Sequence, residues 1–110
     1  MSSDYLLYLK PSKPGPYTLD DIGDTLAPIG TCEELKARIA GVFPATVWEA
    51  SPHVPGAWFG LGVPDFQFTI EPDGMVVSFM ASRVEAEQVL QLARALNLIA
   101  LEIQQDVILA

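Results

Sequence analysis

The sequence predicts a two-layer α+β domain: a mainly antiparallel sheet of four to six strands, with two main helices packed on one face. Three observations carry that expectation. Residues 66–71 (FQFTIE) and 75–80 (MVVSFM) alternate large apolar residues with others around a PDG turn, the pattern of a hairpin. Residues 31 and 82 each open a Ser/Thr-x-x-Glu capping box ahead of apolar residues at helical spacing. Strand-like runs also stand near both ends of the chain, so clustered strands are joined by few helices. The expected organisation is a single domain over residues 1–110, without an internal repeat.

Tyr5 to Leu9 (YLLYL) is a continuous apolar run of strand length, suited to a strand covered on both faces. The following KPSKPGPY carries three prolines and a glycine and reads as a loop, locally positive through Lys10 and Lys13. Thr18 to Leu26 (TLDDIGDTL) spaces Leu19, Ile22 and Leu26 for a short helix, with Asp20 and Asp21 in a favourable first turn. A calcium loop is the competing reading of these aspartates. It fails because the glycine and glutamate that such a loop requires are absent at their positions.

The first main helix begins at Thr31, whose capping partner is Glu34, and it buries Leu35 and Ile39. Lys36 and Arg38 are expected in its last turns, with Gly41 as a left-handed stop and Phe43-Pro44 barring continuation. Val47 and Trp48 start a short strand. Residues 51–66, SPHVPGAWFGLGVPDF, then gather three prolines, three glycines and the chain's one histidine, with Ala57 to Leu61 as a further short strand. Trp58 and Phe59 stand side by side in it, so one ring faces the core and the other faces out.

For the hairpin, a two-residue Asp73-Gly74 turn pairs Ile70 with Val77 and Phe68 with Phe79, putting every large alternating residue on one face. A three-residue turn would pair Phe68 with Ser78 and mix the faces. Pro72 lacks the N–H that the tighter turn uses, which costs about 1 kcal/mol. Burial of Val77 and Phe79 outweighs it at roughly 1.5–3 kcal/mol per side chain. The second helix is expected from Ser82, capped by Glu85, with Ala86, Val89, Leu90, Ala93 and Leu96 buried and Asn97 as its stop. Ile99, Leu101 and Ile103 alternate as a strand, Gln105-Asp106 turns, and Val107 to Leu109 forms a last strand.

Six Lys and Arg against fourteen Asp and Glu leave a formal charge of −8. Such a balance repels phosphate backbones and anionic lipid, so neither nucleic acid nor membrane is an expected partner, whereas a basic protein is. The same charge also serves solubility alone. One cysteine excludes an internal disulfide, and one Cys with one His excludes a Cys/His zinc site; no metal or cofactor is expected. MSSDYLLYLK has neither a basic leader nor an apolar run of spanning length, and the expected location is the cytoplasm.

Catalytic constellations are scarce. Cys32 sits at a helix start, where the dipole lowers a thiol pKa, but Glu33 and Glu34 oppose this and a small apolar role in the core is favoured. His53 is the one imidazole available as a base or pH-sensitive contact, and flanked by prolines it reads better as a solvated loop residue. Gly60 and Gly62 begin a GxG without the third glycine of a dinucleotide loop, and no GK[ST] follows. Glu102 with Asp106 is the least implausible carboxylate pair. No catalytic residue is assigned, and no enzymatic activity is expected.

PIGTCEELKARIAGVFP (28–44), the following tryptophan, FQFTIEPDGMVVSF and LARALNLIALEIQQ (92–105), in that order, resemble a class of small, stand-alone bacterial α+β proteins. Some proteins of that build are immunity proteins encoded beside polymorphic toxins. This chain departs from the class at Glu102, where an Asp is common, and the shared motifs are structural, so no functional residue carries over. The resemblance, the acidity and the lack of catalytic groups together imply a protein-binding module, of immunity type, that neutralises a basic partner as monomer or homodimer. Asp20, Asp21 and Asp24 are its candidate acidic contacts, and Trp58 and Phe59 its candidate anchors. The alternative is a small-ligand-binding or hydrolytic domain with a pocket near residues 51–66, using His53.

Overall fold

The computed structural model describes residues 3–12, 15–18, 27–53, 58–62, 65–105 and 107–109. Within these, the strands are β1 (Ser3–Leu9), β2 (Gly30–Thr31), β3 (Val47–Ala50), β4 (Trp58–Leu61), β5 (Asp65–Ile70), β6 (Met75–Val84), β7 (Leu98–Glu102) and β8 (Val107–Leu109). The helices are α1 (Cys32–Val42) and α2 (Ala86–Leu96). The strands form one antiparallel sheet in the order β3-β4-β5-β6-β1-β7-β8, with β2 beside β6 where β1 ends. The sheet therefore has eight strands, against the four to six expected, in the α+β class that was expected. The predicted helix over residues 18–26 falls mostly outside the described residues.

Both helices bury their apolar stripes on the same side of the sheet. Leu35 and Ile39 of α1 and Val89, Leu92, Ala93 and Leu96 of α2 share one cluster with Tyr5, Leu7, Phe66, Phe68, Phe79 and Ala100. The α1 cap is the predicted box: the Glu34 N–H donates to Thr31 Oγ1 at 3.2 Å and the Thr31 N–H to Glu34 Oε1 at 3.4 Å. Gly41 is not the stop. The helix runs through it to Val42 and ends at Phe43, whose N–H bonds to the Ile39 carbonyl. No basic residue occupies the last turn, so Lys36 and Arg38 do not serve the dipole there.

The α2 start is also corrected. Ser82 to Val84 belong to β6, because β5 and β1 continue to offer partners at Asp65↔Ser82 and Ser3↔Val84. Cross-strand pairing overrides a local capping signal. Arg83 takes φ 56° in the irregular stretch opposite β1. The helix is capped at Glu85, whose N–H donates to Gln88 Oε1 at 2.9 Å, and it stops at Asn97 with φ 59°, as the sequence indicates. Of the expected stripe Val89, Ala93 and Leu96 are buried, joined by Leu92, whereas Leu90 is half-buried and Ala86 exposed.

The hairpin register combines both readings. Gly74, at φ 84°, donates to the Glu71 carbonyl, and the Glu71 N–H donates to Met75, so the turn has three residues and not two. Pro72 fits this turn because its missing N–H is not needed, and Asp73 Oδ1 accepts from the Met75 N–H at 2.9 Å. Ile70 consequently pairs with Val76, not Val77. A bulge at Val77 then restores the predicted Phe68↔Phe79 pair, so the phenylalanines still share the core face.

Candidate partner-binding face

Residues paired across an antiparallel sheet point to the same side, so the register sorts the side chains into two faces. Trp48, Gly60, Phe66, Ala81 and Tyr5 form one row on the helix side. The neighbouring row faces the other way and crosses seven strands: Glu49, Phe59, Gln67, Met80, Leu6, Leu101 and Ile108. It is mainly apolar on the side opposite the helices.

This outer face is unevenly exposed: Leu6, Met80, Leu101 and Ile108 are half-buried along it. Ile99, paired with Tyr8, is completely buried, although it lies outside the cluster that contains the helices. Toward β3 and β4 the face opens: Val47 is 60% and Leu61 40% exposed, and the two pair with each other beside Phe59. Glu49 and Gln67 are exposed and Phe59 is half-buried. Asp65 stands at the margin, where its Oδ1 accepts from the Gly62 N–H at 2.8 Å and its Oδ2 meets Arg83 Nη1 at 3.5 Å.

The two candidate aromatic anchors are thus separated, as their alternation implies. Phe59 belongs to the outer face. Trp58 points to the helix side, where Lys36 Nζ lies 3.3 Å from its ring centroid and 3.0 Å from Glu33 Oε1. The Lys36 side chain is only 14% exposed, so the ammonium is held between the indole and the carboxylate. Sequence reasoning missed this contact because Lys36 and Trp58 lie on elements with no fixed sequence relationship. Asp20, Asp21 and Asp24 lie outside the described residues.

Gly60 has a packing role that the GxG reading did not suggest. A Cβ there would stand 2.9 Å from Thr46 Cγ2, 2.9 Å from Trp48 Cζ3 and 3.1 Å from Phe66 Cδ2. The missing side chain lets the Trp48 ring lean across β4 onto Phe66, at 6.2 Å between centroids and 21° between planes. Trp48 also packs on Phe68, and both phenylalanines meet Phe79 edge-on. This aromatic cluster stiffens the inner side of the sheet end whose outer side is open.

Clefts lined by described residues include three. One of about 220 Å³ lies on the outer face among Phe59, Leu61, Asp65, Gln67 and Ser82. Another, of about 500 Å³, lies between Pro28 and the hairpin turn at Glu71, Pro72, Asp73 and Val77. A third, of about 200 Å³, lies at Phe43 to Thr46. His53 lines none of the three. It is exposed, and its backbone N–H donates to Ser51 Oγ at 3.3 Å. Cys32 is buried in the core cluster, and burial pushes its thiol pKa up, with Lys36 opposing and Glu33 adding to the rise. It is a packed thiol, as the sequence suggests.

Among the described residues no group of three or more His, Cys, Asp or Glu could hold a metal ion, and no helix is long and apolar enough to cross a membrane. Comparison with protein-family models, with curated proteins and with solved structures finds no match.

Proposed function

We propose that the protein is a non-catalytic binding module that docks a basic protein partner on the open end of its outer sheet face, in the manner of an immunity protein. The observation that carries this reading is the exposure of Val47 and Leu61 next to Phe59, with Glu49 exposed beside them. Large apolar side chains held in the open on a stiff sheet are stabilised when a partner removes them from water, at roughly 25 cal/mol per Å². The surrounding carboxylates and the net charge of −8 favour a cationic partner and speed its encounter.

The test is a pull-down from lysate of the producing organism with the wild type and a Val47→Asp/Leu61→Asp variant, folded by circular dichroism. The expected result is a basic protein retained by the wild type, released as salt rises, and not retained by the variant. Equal retention by both proteins, or no retention even at low salt, contradicts the reading.

A further inference from the structure

Resting on that binding reading, we propose that the partner docks by adding an extended, cation-bearing strand to the free edge of β3. An apolar side chain of that strand lies beside Val47, and a Lys or Arg lies beside Glu49. β3 ends the strand order, and among the described residues no strand pairs with its outer edge. Its four residues offer about 13 Å of edge at about 3.3 Å per residue, with alternate backbone groups directed outward. Val47 and Glu49 lie two residues apart on the outer face, so an added strand meets an apolar and an acidic side chain in that order. Trp48, between them, turns inward and is held by Phe66 and Phe68, which keeps the edge in place as a template.

Charge selects the occupant. Among the antiparallel registers that keep the faces of a second copy aligned with the first, the two that overlap most of β3 centre on Trp48 or on Glu49. The first centre puts each Glu49 beside a Val47, and the second puts the two carboxylates opposite one another. Either arrangement also joins two chains of charge −8. A strand alternating Lys or Arg with apolar residues meets neither obstacle and adds main-chain hydrogen bonds to the side-chain contacts.

Two six-residue peptides of equal composition, acetylated and amidated, test this: one alternates Lys with Val, and the other carries them in two blocks. With the isotopically labelled protein, the alternating peptide is expected to slow amide exchange along β3. Its binding is expected to weaken about ten-fold on Glu49→Lys substitution, as for an interfacial charge pair. Equal binding of both peptides with shifts spread over the acidic surface overturns the proposal, as does protection of β8 instead. Self-association through β3, seen by light scattering and lost in Glu49→Lys, overturns it as well. A lysate partner that is lost with Val47→Asp/Leu61→Asp but unaffected by Glu49→Lys rejects edge pairing and leaves face binding standing. Unchanged capture by both variants rejects the two together.

Discussion

Gly60→Ala sets two effects of known sign against each other, and the structure decides between them. Replacing glycine by alanine in a strand ordinarily stabilises by about 0.4–1 kcal/mol, because the unfolded chain has less freedom to lose. At Gly60 the new methyl stands 2.9 Å from both Thr46 Cγ2 and Trp48 Cζ3. Neither neighbour yields easily. The Thr46 hydroxyl donates to the Phe43 carbonyl at 2.9 Å, and the Trp48 ring is packed against Phe66 and Phe68. Overpacking of this kind costs about 1–3 kcal/mol, which exceeds the entropic gain. The expected net loss is roughly 1–2 kcal/mol, a drop in Tm of about 5 °C or more for a domain of this size. Urea and thermal unfolding followed by tryptophan fluorescence measure it. In a Trp48→Leu background the cost of Gly60→Ala should shrink by about 1 kcal/mol, since one of the clashing atoms is gone. Gly60→Ala at or above wild-type stability refutes the close approach of Trp48 across β4.

Two further outcomes follow from buried contacts. Lys36→Met keeps an apolar stem but removes the ammonium over Trp58, and should cost about 0.5–2 kcal/mol by urea unfolding; an unchanged midpoint contradicts the contact. Cys32 and Tyr5 both have pKa values raised, first by burial, with Glu102 and Glu85 adding to the rise at Tyr5. Each is neutral when protonated and the fold favours that form. Their contribution is therefore complete below the unfolded-state values, about 8.5 for the thiol and about 10 for the phenol, and is lost as pH rises from there through the higher folded-state values. Urea midpoints should fall from pH 8 to pH 10, and less steeply in Cys32→Ala. Equal slopes in the two proteins contradict the assignment to the thiol.

The elements most legible in the sequence were those whose signals are local. The Thr31–Glu34 box, the left-handed stop at Asn97 and the alternation of Phe66 and Phe68 all act within a few residues, and all appear in the structure. What was misread depended on partners distant in the chain. Ser82 carries a valid capping pattern, but β5 and β1 pair with Ser82 to Val84 and extend the strand past it. The hairpin turn follows the chemistry of Pro72 and Gly74, and the bulge at Val77 reconciles that turn with burial of Phe79, while Val76 takes the buried place expected of Val77. Of the candidate site, the opposed directions of Trp58 and Phe59 followed from alternation alone. The cover that Lys36 places on Trp58 depends on how helix and sheet meet, and the openness of Val47 and Leu61 depends on what lies over the opposite face; no local pattern encodes either.

Amide hydrogen exchange on the protein bound to its captured partner tests the central claim most directly, because it locates the contact without any substitution. The account predicts slowed exchange along Val47–Ala50, with the exposed surfaces of α1 and α2 unchanged. Protection confined to the helices, with β3 exchanging as in the free protein, contradicts it.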